Sequence, residues 1–296
     1  MKVVQPTTYS SAMLVSTTAV ESVLAWNSGT TYVVGDTART GGRIYRSLVA
    51  SNLNFPPLTN PTRWVDIGPD NTNAAFDDQV STASTGTASL AYVLNTGIID
   101  ALAVVNVGAT TVRLLVTDGP SGPTIFDQTA GMDGSTVSDW YQYFFFDPLL
   151  TRTQVVFTGI PPFASARATL TVAGGGTVSV GHIAFGRIAD LGETNYGARA
   201  GITDYSVKTT DVFGVTRFVR RAFSKRLTAQ VSVSNLQLNR VQRLLYGLRA
   251  TPCVWIGSDA PEYDEALTVF GYYKDFSTDI PYPTFSYCSL EIEGLA

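Results

Sequence analysis

Between residues 72 and 187 one pattern returns seven times. "SLAYVL", "IDALAVVNV", "TVRLLVTD", "DWYQYFFF", "TQVVFTGI", "ARATLTVAG" and "VSVGHIAFG" are rich in β-branched or aromatic residues and bounded by Gly, Pro, Asp or Asn. Such side chains fit a pleated, half-buried surface. Short runs at turn-punctuated spacing predict a β-sandwich or jelly roll. In "TVRLLVTD", Val112, Leu114 and Val116 share one face, while Arg113 and Leu115 share the other. One side of that sheet is therefore expected to be only partly wet.

The rest of the composition narrows the class. Charged residues make up 15% of the 296-residue chain and hydrophobic ones 45%, against about 25% charged in ordinary soluble domains. Neutral, Thr- and Ser-rich sheets suit packing in a permanent assembly. A net charge of -4 gives no general attraction to phosphate, so no specific nucleic-acid partner is expected. No stretch approaches the ~18 apolar residues of a membrane span, and the start "MKVVQPTTYSSAMLVSTTAVES" lacks a signal-type apolar run. Synthesis in a cytoplasm without a cleaved signal is expected. In that compartment Cys253 and Cys288, which lack metal-ligand spacing, are expected to be buried thiols.

Punctuation divides the chain into a tail and three blocks. Residues 1–24 read as an extended polar arm, with Pro6 discouraging a helix. Residues 25–71 read as a compact aromatic β module closed by "RWVDIGPDN", where Gly68-Pro69-Asp70-Asn71 marks a turn and linker. Residues 72–187 are the sandwich, and residues 188–296 an α+β domain. In that last block "TDYSVKTTDVFGVTRFVRRAFSKRLTAQVSVS" predicts a hairpin and a third strand, with Phe213-Gly214 near the turn. Ser234 or Asn235 then caps one helix, "NLQLNRVQRLLYGLR". There Val241, Leu244, Leu245 and Leu248 form a single apolar stripe. The expected class is mainly β with one helix.

No motif of the nucleophile or metal kind appears, so no catalytic residue, metal or cofactor is expected. His182, the only histidine, sits in "VSVGHIAFG" among apolar neighbours and reads as a sheet residue. The carboxylate pairs Asp77-Asp78, Asp264-Glu265 and Glu291/Glu293 have solvated readings. Asp77, Asp78, Asp100, Asp118 and Asp127 would form a calcium site only by converging. "AGGGTVSVG", from Ala173 to Gly181, precedes a strand and reads as a flexible β-turn. The one basic concentration, "TRFVRRAFSKR", holds Arg217, Arg220, Arg221, Lys225 and Arg226. Ion pairing between subunits is its expected use. Phe213, Phe218 and the arm at 1–24 are expected to add apolar contacts there.

Trp26, Tyr32, Gly35-Asp36, Gly41, Tyr45, Pro57 and Trp64 through Gly68 follow the order "AW…Y..GD……G..Y…P…W…G". Over about 45 residues this resembles the small chitin- and cellulose-binding modules of carbohydrate-binding families 5 and 12. The resemblance implies that Trp26, Tyr45 and Trp64 are structural aromatics. It also implies a sugar platform of paired exposed aromatics a few residues after the second Tyr. Here that place reads "YRSLVASNLNF", without an aromatic pair. Tyr32 and Phe55 remain as the residues expected to meet sugar.

"FDDQVST", "DWYQYFFFDPLLTR" and the close "YYKDFSTDIPYPTFSYCSLEIEGL" together resemble structural proteins of tailed bacteriophages encoded among tail genes. The order of hairpin, helix and closing strands also looks like the tail-tube and distal-tail fold. These resemblances imply a non-enzymatic virion protein of the tail tip or baseplate, made in the host cytoplasm. Its implied partners are copies of itself, other tail proteins and host cell-surface polysaccharide. A glycan-binding adhesin is the alternative, and a glycan hydrolase a more distant one.

Overall fold

A computed structural model describes residues 1–77, 79–134, 140–145 and 151–295. Strands take 54% of the chain and helices 11%, so the mainly β class with one substantial helix holds. Contacts divide the chain into two compact units. One comprises Met1–Thr8, Ile99–Ala103 and Ala184–Ala296, the other Tyr9–Ile98 and Val104–Ile183.

In the second unit five antiparallel strands follow one another across a sheet. They are Thr124–Gly131, Thr111–Asp118, the first part of Ala166–Asp190, Ser84–Asn95 and Leu14–Thr17. Val112, Leu114, Val116, Leu170 and Val172 are fully buried from this sheet. Arg113 points to the other side, where it holds Asp127 at 2.7 Å. Period-two alternation thus sorts the faces as the sequence indicates.

The aromatic module belongs to the same unit. Thr37–Thr40, Arg43–Ser47 and Trp64–Pro69 form a three-stranded sheet, and Thr31–Tyr32 pairs Asn52–Leu53. Gly41 and Gly42 close its hairpin with φ of 60° and 78°, the left-handed pair that a two-residue turn demands. Gly68–Asn71, read as a linker, is fixed in place. Asp70 is buried, and the Asn71 side chain binds the Val20 carbonyl and both backbone groups of Thr85.

Three readings are corrected. "AGGGTVSVG" is not a turn but part of one continuous strand, Ala166–Asp190. From Ala173 to Thr177 the strand advances four residues while its partner moves from Ser89 to Thr87. The glycines take up this surplus as a bulge. Trp140–Phe145, read as strand, is a short α-helix. Its run of bulky residues lacks a two-residue alternation, and Trp140 stacks on Phe144 one turn away, 6.2 Å between centroids. Asp139 and Phe146 of that phrase lie outside the described residues. Residues 1–24, finally, read as an extended polar arm for contacts between subunits, are partly built into the chain's own sheet: Lys2–Pro6 is hydrogen-bonded on both sides, to Gly186–Asp190 and to Val254–Ile256. Val3 and Val4 are buried there, and Leu14–Thr17 pairs Ser84–Asn95.

In the first unit an antiparallel order runs from Lys2–Pro6 through Cys253–Ile256, Thr268–Asp279, Phe285–Gly294 and Phe223–Ser234 to Arg199–Asp204. Helix Asn235–Gly247 lays Val241 and Leu245 on one face of this sheet, over Leu227, Val231, Leu290 and Ile292. Trp255 is fully buried and donates Nε1–H to the Gly271 carbonyl at 2.9 Å. Cys253 and Cys288 are free, buried thiols. Burial pushes Cys253 up to about 12 and raises Cys288.

Candidate functional site

Two places on the chain answer to the site residues read from sequence. In the aromatic module the structural aromatics are used up by packing. Tyr32, Ala38, Tyr45 and Trp64 make the core, with Trp26 against it. Trp64 is 2% exposed and donates Nε1–H to the Phe55 carbonyl at 2.8 Å. Tyr32, expected to meet sugar, is 7% exposed. Its ring sits edge-on to Trp64 at 5.0 Å, and its hydroxyl accepts the Asn27 N–H. A ring so placed has no open face for a pyranose, because a 45-residue module has little else with which to fill its centre. Phe55 carries the Arg63 guanidinium 3.7 Å above its ring, which covers one face. The exposed large apolar side chains of the module are aliphatic: Val33, Val34, Leu48, Leu53, Leu58, Val65 and Ile67.

The second place is the segment between Arg199–Asp204 and Phe223–Ser234. Among the described residues Val207–Thr210 and Thr216–Val219 pair only with each other. Asp211 shapes the turn: its Oδ1 accepts the N–H groups of Phe213 and Val215, both at 2.9 Å, and Gly214 takes φ of 81°. Register places Lys208 opposite Phe218 on one side and Val207 opposite Val219 on the other. Neither side finds a core. Val212 is 94% exposed, Phe213 88% and Phe218 74%.

The base of the hairpin is tied down by polar contacts. The Ser206 hydroxyl and then its N–H, both bonded to Asp204, hold that carboxyl below the usual range. Ser206 Oγ accepts the Arg221 N–H, and the Tyr205 hydroxyl donates to Glu293 at 3.2 Å. Phe213, Phe218, Arg220 and Arg221 therefore stand together on one projection, joined by Lys208 and Arg217. Lys225 and Arg226 leave it for opposite faces of the next strand. Lys225 is half-buried, donates to the Glu265 carbonyl at 3.2 Å, and is lowered by that burial against the pull of Glu265 and Asp264. Arg226 lines a shallow cleft of about 420 Å³ with Arg199, Gln230, Ser289 and Glu291.

The remaining titratable groups have local roles. Glu291 faces Lys274 at 3.8 Å. Asp77 accepts the Thr82 hydroxyl, Asp118 that of Ser165, and Asp100 stands 3.9 Å from Arg187. Asp78 lies outside the described residues. Among the described residues no three His, Cys, Asp or Glu converge as metal ligands, and no helix is long and apolar enough to cross a membrane. One feature escaped sequence reading. Trp140, Tyr141 and Phe144 are exposed on a helix, a placement hidden because the phrase was read as strand.

No protein-family model matches the chain, and no curated protein matches it in sequence.

Proposed function

We propose that this protein is a structural, non-enzymatic component of a bacteriophage tail tip or baseplate, assembling with copies of itself and with other tail proteins. The observation that carries the reading is the hairpin at 207–219. A two-stranded ribbon is marginal in water by itself, and this one spends its aromatic and branched side chains on solvent rather than on its own unit. Exposed apolar groups concentrated on a projecting element mark an interaction site. The low charge of the whole chain and its likeness in phrase and order to phage tail proteins supply the setting.

Peptide mass fingerprinting of purified particles from the source organism, with antibody labelling by electron microscopy, tests the proposal. The expected result is the intact chain in the particle, with label on the tail. Its absence from particles would count against the reading.

A second reading, a glycan-binding adhesin, draws support from Trp140, Tyr141 and Phe144, whose exposure suits stacking on sugar faces. Glycan-array binding lost in Trp140→Ala, and kept in Phe55→Ala, would favour it.

A further inference from the structure

Charge is unevenly divided within the C-terminal unit. Residues 205–226 hold six Lys or Arg and one Asp, whereas residues 257–296 hold eight Asp or Glu and one Lys. On the basic side, Lys208, Arg217, Arg220 and Arg221 have no carboxylate within 4.0 Å among the described residues. On the acidic side, the turn Pro261–Tyr263 and the helix Asp264–Leu267 bring Glu262, Asp264 and Glu265 within four residues. Tyr263 beside them is half exposed. Glu262 likewise forms no ion pair within that distance among the described residues, while Asp264 accepts the Thr268 hydroxyl at 3.4 Å and acts, with Glu265, on Lys225 of its own chain.

We infer that the hairpin docks on the Glu262–Glu265 turn of a second copy of this chain. The inference rests on the assembly reading and adds its partner and contact surface. Arg217, Arg220 and Arg221 would meet the carboxylates, and the apolar tip would cover Tyr263. Complementary potentials of this kind set register and partner choice. Nucleic acid is the competing occupant of a basic, aromatic ribbon. It fits less well because the chain as a whole, at a net charge of -4, repels phosphate. Either a two-fold pair or a staggered series can use the same two surfaces, since each copy carries both.

A charge swap on the full chain tests this, with sedimentation velocity as the readout and circular dichroism to confirm folding. Arg217→Glu with Arg220→Glu should weaken self-association by roughly tenfold or more. So should Glu262→Arg with Glu265→Arg. Mixing the two doubly substituted proteins should restore association between them. Association untouched by either reversal, or no recovery in the mixture, overturns the inference. Recovery replaced by loss of binding to a single-stranded oligonucleotide also overturns it and points to nucleic acid. The outcome is separable from the assembly reading: if Phe213→Asp abolishes association while the swap has no effect, assembly through the hairpin stands and the acidic turn is not its seat.

Discussion

The aromatic module at 25–71 and the hairpin at 205–221 are short β elements built from similar residues, and they use their aromatics in opposite ways. Trp64 and Tyr32 lie inside the module, while Phe213 and Phe218 lie outside the hairpin. The difference comes from what stands opposite each strand. In the module Tyr32, from the two-stranded pair, packs with Ala38, Tyr45 and Trp64 of the three-stranded sheet, and the Phe55 carbonyl and Asn27 N–H satisfy the polar edges of Trp64 and Tyr32. The hairpin has two strands, and among the described residues nothing buries its rings. Apolar content therefore does not decide burial; the presence of a covering layer does. Where that layer is missing within the chain, a partner is the natural source of it.

That contrast breaks down first, if it is mistaken, at Trp64. Trp64→Ala should cost about 3–5 kcal/mol of stability, the range for a large buried aromatic, seen in denaturant unfolding. Asp211→Ala comes next. Removing the acceptor of two turn N–H groups should loosen the hairpin by about 1 kcal/mol, detectable as faster amide exchange at Phe213 and Val215 with little change in global unfolding. Phe213→Ala should leave monomer stability within about 0.5 kcal/mol; a larger loss would mean the ring is covered within its own chain.

Alkaline pH sharpens the comparison from the supporting core. Burial holds Cys253 protonated to about 12, above its ordinary 9.0. The unfolded chain gives up that proton earlier. The stability it contributes is complete below about pH 9.0 and declines as pH rises towards 12. Tyr92, raised by burial from 10.0 to about 12, adds the same trend from about pH 10.0 upward. Denaturant titrations at rising pH should show this decline, shallower in Cys253→Ala. Hairpin-mediated association should be lost with unfolding rather than before it.

Much of the local structure was legible in the residues. The stripe Val241, Leu244, Leu245, Leu248 marks the buried face of the helix, and Phe213-Gly214 marks the turn, because both depend on near neighbours. What escaped depends on distant ones. Gly174 to Gly176 suit a turn or a bulge equally, and only the register against Ser89 and Thr87 decides. Lys2–Pro6 carries no sign that it pairs with strands some 180 and 250 residues away. Tyr32 fits a sugar platform or a core, and the choice lies in how few other side chains can fill that small centre. The hairpin residues were readable as a basic, aromatic run. Their exposure was not, since it follows from the absence of a covering layer.

Sedimentation velocity of the wild-type chain beside Phe213→Asp/Phe218→Asp, across a wide concentration range, bears most directly on the hairpin as an assembly element. The wild type should form larger species as concentration rises, while the variant stays a folded monomer with an unchanged melting temperature. Two monomers at every concentration, or identical association in both, would contradict it.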